Sequence, residues 1–177
     1  MIETDRLILR PPIEQDREQI AAIHSDPRVG EWLSGALARA ESDAIVDRIL
    51  AQFARDGFSY WAAARKVDQA LVGLVGLVKM PPEFPPAPAL EIGWRLSPDF
   101  WGQGYASEAA RAVAAWGFAN TDAPELLAVT ARANLKSQAV MRRIGMTAEP
   151  WRDFDHPHLD IDHPLRAHVT FALKRRA

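Results

Sequence analysis

The sequence predicts a mixed α/β (α+β) domain, and three observations carry that prediction. Strand-like apolar runs are interleaved with helix-like runs along the whole chain. Two adjacent strand-like runs are separated only by Val67-Asp68-Gln69, short enough for a hairpin. A glycine-containing turn joins an alternating strand directly to a long apolar helix. At 177 residues the chain suits one domain with a sizeable core, for which ~100–200 residues are typical. No repeat, low-complexity tract or linker divides it, so residues 1–177 read as a single domain.

The elements follow in order. Leu7–Arg10 reads as a first strand, stopped by Pro11-Pro12. Glu14 to Ser25 is a polar helical stretch with Ile20 and Ile23 as its apolar positions, and Asp26-Pro27 turns into a short helix carrying Trp32 and Leu33. Glu41 to Arg55 places Ile45, Ile49, Leu50 and Phe53 at helical spacing, ending at Asp56-Gly57. Residues 58–66 and 70–79 are the hairpin strands. The prolines between Met80 and Ala89 forbid a regular ladder there. Leu90 to Ser97 alternates: Leu90, Ile92, Trp94 and Leu96 share the core face, while Glu91, Gly93, Arg95 and Ser97 share an open one. Tyr105 to Ala119 is a buried helix, and Leu126 to Ala131 an apolar, fully buried strand. Asn134-Leu135-Lys136-Ser137 supplies cap residues for a helix from Gln138 to Ile144, stopped by Gly145. Met146 to Phe154 and Leu165 to Leu173 read as closing strands around a His/Asp/Pro loop.

Bulk properties exclude several function classes. Twenty-one basic against 23 acidic residues leave a net charge of −2, so no broad basic field is implied and nucleic acid is not an expected general partner. Lys174-Arg175-Arg176 reads as a solvated tail. The absence of cysteine removes disulfides, thiolate metal sites and a thiol nucleophile. The N-terminus has no basic-then-apolar leader, and the apolar run Ala70 to Val78 is far short of the roughly 18 residues of a membrane span. The expectation is a cytoplasmic protein with no membrane partner, monomeric or homodimeric.

The most informative stretch is Phe100 to Glu108. A glycine turn opening a helix aims backbone N–H groups and the positive end of the helix dipole at one point, which favours phosphate or pyrophosphate. A plain tight turn is the alternative reading. A dinucleotide-binding turn would require G-x-G-x-x-G after the first strand of a βαβ unit, and neither spacing nor position fits.

The order of elements resembles the GNAT superfamily of acetyl-CoA-dependent N-acyltransferases, and within it the branch of ribosomal-protein N-terminal acetyltransferases. The resemblance rests on Glu3-Thr4-Asp5-Arg6-Leu7-Ile8-Leu9-Arg10, Glu91-Ile92-Gly93-Trp94, the glycine turn, and Asn134 through Met146. The superfamily's pyrophosphate motif, Gln/Arg-x-x-Gly-x-Gly/Ala, is matched by Trp101-Gly102-Gln103-Gly104-Tyr105-Ala106, with Trp101 in place of the leading Gln or Arg. The resemblance implies a GNAT fold, with a mostly antiparallel sheet of about seven strands whose central strands splay apart.

It also implies acetyl-CoA as donor, an amine as acceptor, and a set of roles. The pyrophosphate would lie on Gly102, Gln103, Gly104, Tyr105, Ala106 and Ser107. The pantetheine arm would follow Trp94, Arg95 and Leu96, with Gly93 leaving room for it and Asn134 helping to hold it. Glu91 would be the general base and Ser137 the proton donor to the departing thiolate, since Met141 stands where many members have a Tyr. A solvated strand carboxylate and a first-turn serine are the plain alternatives for those two. The acceptor (a protein N-terminus, polyamine, antibiotic-like amine or amino-acid-like molecule) is not readable; the slight acidity favours a cationic amine. It should meet the first helices and the loops Pro81–Pro88 and Pro157–Pro164.

His156, His158, His163 and His168 gather with Asp153, Asp155, Asp160 and Asp162 in the last loop. Their Pro-interrupted spacing matches no zinc pattern, so no metal is expected. Such a loop can border the acceptor site and offer a histidine as alternative base. Trp61, Trp94 and Trp116 read as core, while Trp32 and Trp101 are candidates for ligand contact. A non-catalytic acyl-CoA-binding sensor or scaffold module is the reading from a different class.

Overall fold

Pairing between strands explains most of the chain's course. The computed structural model describes residues 1–33 and 35–175. Its strands are β1 (Ile2–Glu3), β2 (Leu7–Arg10), β3 (Tyr60–Arg65), β4 (Leu71–Lys79), β5 (Leu90–Leu96), β6 (Glu125–Ala131), β7 (Thr147–Ala148), β8 (Phe154–Asp155) and β9 (Ala167–Lys174). Its helices are α1 (Arg17–Ser25), α2 (Pro27–Gly30), α3 (Arg39–Asp56), α4 (Tyr105–Asn120) and α5 (Leu135–Arg143). The strands form one sheet in the order β1-β2-β3-β4-β5-β6-β9-β7, with β8 also on β9. Neighbours run antiparallel except β5 and β6, which are parallel. The sheet has nine strands rather than about seven: six longer ones, with the two-residue β1, β7 and β8 near its ends.

Helices cover both faces. α4 packs Ala109, Ala110 and Val113 against Val75, Leu77, Ile92 and Leu96. On the other face Ile20, Ile23, Val46 and Ile49 of α1 and α3 meet Leu71 and Leu74 of β4. Trp61 is buried, with its ring 5.1 Å from that of Trp116, whereas Trp94 and Trp116 are only partly covered at the edge of this core.

Five expectations shift at the element ends. The short helix after Asp26 ends at Gly30, so Trp32 and Leu33 lie beyond it. The stretch from Glu14 opens as a short 3-10 turn, since Asp16 turns inward to take both Arg10 and the Ile13 N–H. α5 starts a turn earlier than Gln138, because Asn134 alone is the cap and accepts from the Ser137 N–H. The strand expected over Met146 to Phe154 is broken at Pro150, which has no N–H to donate. The Asp153 carboxylate receives the Thr170 N–H there instead. Arg175 is no solvated tail: its guanidinium donates to the carbonyls of Phe118, Thr121 and Ala123, closing the C-terminal end of α4. Arg176 lies outside the described residues. Among those described, no helix is long and apolar enough to cross a membrane.

Candidate active site

The glycine turn has the form the sequence suggests. Gly102 and Gly104 take φ of 74° and 83°, a conformation that costs other residues ~1–2 kcal/mol. α4 begins at Tyr105, and the peptide N–H groups of residues 102–107 find no acceptor among the described residues. They are the orphan donors of a helix start, aimed outward with the dipole behind them. Trp101, the departure from the motif, locks the turn to the sheet. Its indole N–H donates to the Leu96 carbonyl at 3.0 Å, and the Lys136 ammonium sits 4.7 Å over its ring. The Gln103 side chain is spent on the Asp99 carbonyl.

A clamp from the N-terminus holds this turn. Glu108 accepts from the Thr4 hydroxyl at 2.6 Å, from the Arg6 N–H at 2.9 Å and from the Arg6 guanidinium at 2.6 Å. Arg6 also donates to the Gln103 carbonyl and stacks 4.3 Å over the buried Tyr105 ring. The opening Thr4-Asp5-Arg6 segment therefore sets the shape of a turn about a hundred residues away.

Beside the turn the sheet opens. β4 pairs with β5 along its full length, from Leu90 to Leu96. β6 likewise pairs with β9 at every residue from Glu125 to Ala131. Between β5 and β6, however, the only ladder pair is Glu91 with Leu127. From Gly93 to Leu96 the edge of β5 that faces β6 thus has no strand partner, the Leu96 carbonyl being taken by Trp101, and a cleft of about 1990 Å³ lies over it. The turn residues Gly102 and Gly104 to Ser107, with Asn134 and Ser137, line the same cleft.

Glu91 stands at the closed end of the split. Burial pushes its carboxyl up to about 7 from an ordinary 4.5. Gly93, two residues on, leaves room for something other than the expected arm. The Tyr60 hydroxyl occupies the space, so a Cβ on Gly93 would lie 2.4 Å from it. Burial, reinforced by the Glu91 charge, raises the Tyr60 phenol and keeps it protonated. Arg95 follows on the same face, its pKa lowered by burial. The main chain of Arg95 pairs with Leu74 of β4, and its side chain lies within range of His24 on α1 and Arg48 on α3. Behind it His24 is fully buried, its Nδ1 2.8 Å from Ser42 Oγ, and burial together with the Arg95 charge holds it neutral with a pKa of about 4.

On α5 the Asn134 side chain is buried and occupied by its cap. The Ser137 hydroxyl takes no part in that cap and is half-buried at the cleft. Met141 is 1% exposed and belongs to the core. The two proline loops meet at the far end of the cleft. The Phe84 ring stands edge-on to His156 at 5.1 Å and to Phe154 at 5.9 Å. His158 lies 3.3 Å from Glu83, and burial lowers both His156 and His168. His163 instead accepts from the Leu165 N–H. His156 gathers His168 and His158 around it, at ring-centroid distances of 4.9 and 5.8 Å, but among the described residues no His/Asp/Glu group has a metal-holding arrangement.

Trp32 and Trp101 both line the cleft, as the sequence suggests. Tyr60, Arg48, Arg6 and Glu108 were not singled out in the sequence. No local pattern marks Tyr60; Arg48 offers only the weak signal of a helix-surface arginine without an acidic neighbour one turn away.

A family model described as an acetyltransferase (GNAT) domain matches residues 6–147. The FsC-acetyl coenzyme A-N(2)-transacetylase of Aspergillus fumigatus is 32% identical over 152 residues, covering 82% of this chain and 64% of that protein. Among solved structures, a GNAT-family acetyltransferase from Bacillus anthracis superposes with a TM-score of 0.81 at 24% identity, over 98% of this chain and 97% of that one. The ribosomal-protein-S5-alanine acetyltransferase from Vibrio fischeri gives a TM-score of 0.76 at 16% identity, over 97% and 94%. At such identities the two structures establish a shared fold.

Proposed function

The chain belongs to the GNAT acetyltransferase family, and from that premise we propose that it moves the acetyl group of acetyl-CoA to a primary amine by direct attack in a ternary complex. One observation carries the reading: the split between β5 and β6 runs from the raised carboxyl of Glu91 to the free N–H groups of residues 102–107. A thioester threaded through that split has its phosphates at the turn and its carbonyl near the base.

In this reading the pyrophosphate lies on Gly102, Gln103, Gly104, Tyr105, Ala106 and Ser107. The pantetheine arm runs along the strand edge at Trp94, Arg95 and Leu96, where the main chain of Trp94 has no strand partner on that side. Asn134 contributes by fixing the start of α5 beside it. The incoming ammonium gives a proton to Glu91, directly or through one water. The free amine forms the C–N bond, and the negative charge gathers on the thioester oxygen. A peptide N–H on the free edge of β5 donates to that oxygen, a type of contact worth ~10²–10³ in rate. The C–S bond then breaks, Ser137 supplies a proton to the thiolate, and the proton lost by the acylated nitrogen restores the serine hydroxyl, leaving a neutral amide and a free thiol.

Calorimetric titration with acetyl-CoA, followed by thiol release across a panel of amines, tests the reading. Micromolar binding with turnover supports it. Binding without turnover for any amine favours the sensor or scaffold module, and no binding removes the assignment of the turn.

Two variants probe individual parts. Ser137→Ala is expected to lower kcat by ~10²-fold with acetyl-CoA affinity and thermal stability unchanged, since the cap uses only its main-chain N–H. Undiminished kcat returns Ser137 to a passive place on the helix. Glu108→Ala frees Arg6 and the turn, and acetyl-CoA should bind about tenfold more weakly, or ~1.4 kcal/mol, in calorimetry. An unchanged Kd would mean that the turn keeps its shape without the clamp.

A further inference from the structure

Two arginines face the cleft on the side opposite α4 without a carboxylate to pair with. Arg95 leaves β5 on the Glu91 face and is half-buried at the cleft, close enough for its charge to act on His24 of α1 and on Tyr60. Its guanidinium has no ion pair or hydrogen bond among the described residues. Arg48 enters the same cavity from α3, likewise without a partner among the described residues. Its helix neighbours one turn away are Ala44, Ile45, Ala51 and Gln52, so α3 offers no acid on that side.

The nearby acids are committed elsewhere. Asp43 pairs with Arg39, Asp47 with Arg17, and Asp56 with Arg55 and Lys79. Glu91 does not answer the arginines either, for its carboxyl stays raised with no cation drawing it down. Tyr60 and His24 are neutral. A guanidinium cannot shed its proton as a buried lysine can. A half-buried, unpaired one is costly unless an anion joins it. The field in this part of the cleft is positive, whatever the net charge of −2 suggests.

We propose that the acceptor is an amine bearing a carboxylate, received by Arg95 and Arg48 while its amino group lies at Glu91. This rests on the acetyl-transfer reading of the cleft. Glu91 and Arg95 are four residues apart, ~13 Å along a strand, less the reach of two side chains, which suits both groups within one small molecule of amino-acid or short-peptide size. Arginine's planar fork matches a carboxylate with two parallel hydrogen bonds. A polyamine would bring its second ammonium against two guanidinia, so the cationic acceptor favoured by the overall charge is disfavoured locally.

The test is a thiol-release panel of free amino acids, each beside its amide, with phosphoethanolamine and putrescine included. For the wild type, kcat/KM for the best acid should exceed that of its amide on the order of 10–100-fold. Arg95→Gln and the exposed Arg48→Gln should each shrink that ratio through KM, and Arg95→Lys should keep part of it. Amides or putrescine turning over as well as acids overturn the proposal while leaving acetyl transfer standing. Phosphoethanolamine outrunning the acids overturns the carboxylate in favour of phosphate. Loss of acetyl-CoA affinity in Arg95→Gln with the acid preference intact assigns that guanidinium to the donor and also overturns it. If no amine turns over, thermal shift of the CoA-saturated protein with N-acetylphenylalanine and with its amide decides. A shift for the acid only, lost in Arg95→Gln, supports the anion site although the acetyl-transfer reading has failed; equal shifts overturn it.

Discussion

Glu91→Gln is expected to lower kcat by ~10²–10⁴-fold, the range of a general base, with acetyl-CoA affinity essentially unchanged. The pH profile gives the sharper readout. Because burial places the carboxyl at about 7, and the base must be ionised, wild-type kcat should rise with pH through about 7 and then level. In the variant that limb disappears, leaving the ionisation of the amine itself, ~8 for an α-amine. A variant with wild-type kcat and the same limb would pass the base to the histidines of the last loop.

The same shift has a consequence for stability. The folded pKa lies above the ordinary 4.5, so between these values the folded state holds the proton more tightly than the unfolded one. The stability associated with the neutral carboxyl is full below 4.5 and lost as pH rises through about 7. Glu91→Gln removes that loss. Relative to pH 5 the variant should therefore gain ~1–3 kcal/mol over wild type by pH 8, visible as a higher Tm. A carboxyl that costs the fold stability where it is ionised is consistent with a functional group.

Gly76→Val is expected to have the largest structural effect. Gly76 pairs with Tyr60 across β3 and β4, and a Cβ there would lie 2.3 Å from the Ser59 carbonyl oxygen and 2.4 Å from the Tyr60 Cα. Both are backbone atoms, so no rotamer change relieves the clash. The loss should be at least ~3 kcal/mol, roughly 6–12 °C in Tm for a chain of this size, or failure to fold. Gly102→Ala is the contrast: its Cβ would meet nothing within 4 Å, so only the positive φ opposes it. Gly76→Val melting within a degree or two of wild type would mean that β3 and β4 can part, and that Tyr60 is not held over Gly93.

Legibility in the sequence followed the range of the interaction. The alternation over Leu90 to Leu96 put Glu91 and Arg95 on one face, and the fold keeps them there. The glycine turn and the helix behind it were readable because positive φ and orphan N–H groups are local properties of a few residues. The strand expected over Met146 to Phe154 is interrupted because Pro150 lacks the N–H that a ladder needs, whatever the apolar residues at its ends favour. Gly93 was noticed, but its reason was not: the hydroxyl above it comes from Tyr60, two strands away.

The mixed α/β class, the order of the main elements, the glycine turn that opens α4 and the carboxylate on one strand face were all readable in the amino-acid order. All of these are set by periodicity and by the backbone demands of glycine and proline. Tertiary structure alone decided the split between β5 and β6, the clamp from Arg6 to Glu108, and the meeting of Arg48, Tyr60 and Arg95 above one strand. Each joins residues far apart in the chain, and a local pattern records which way a side chain points but not what it will find there.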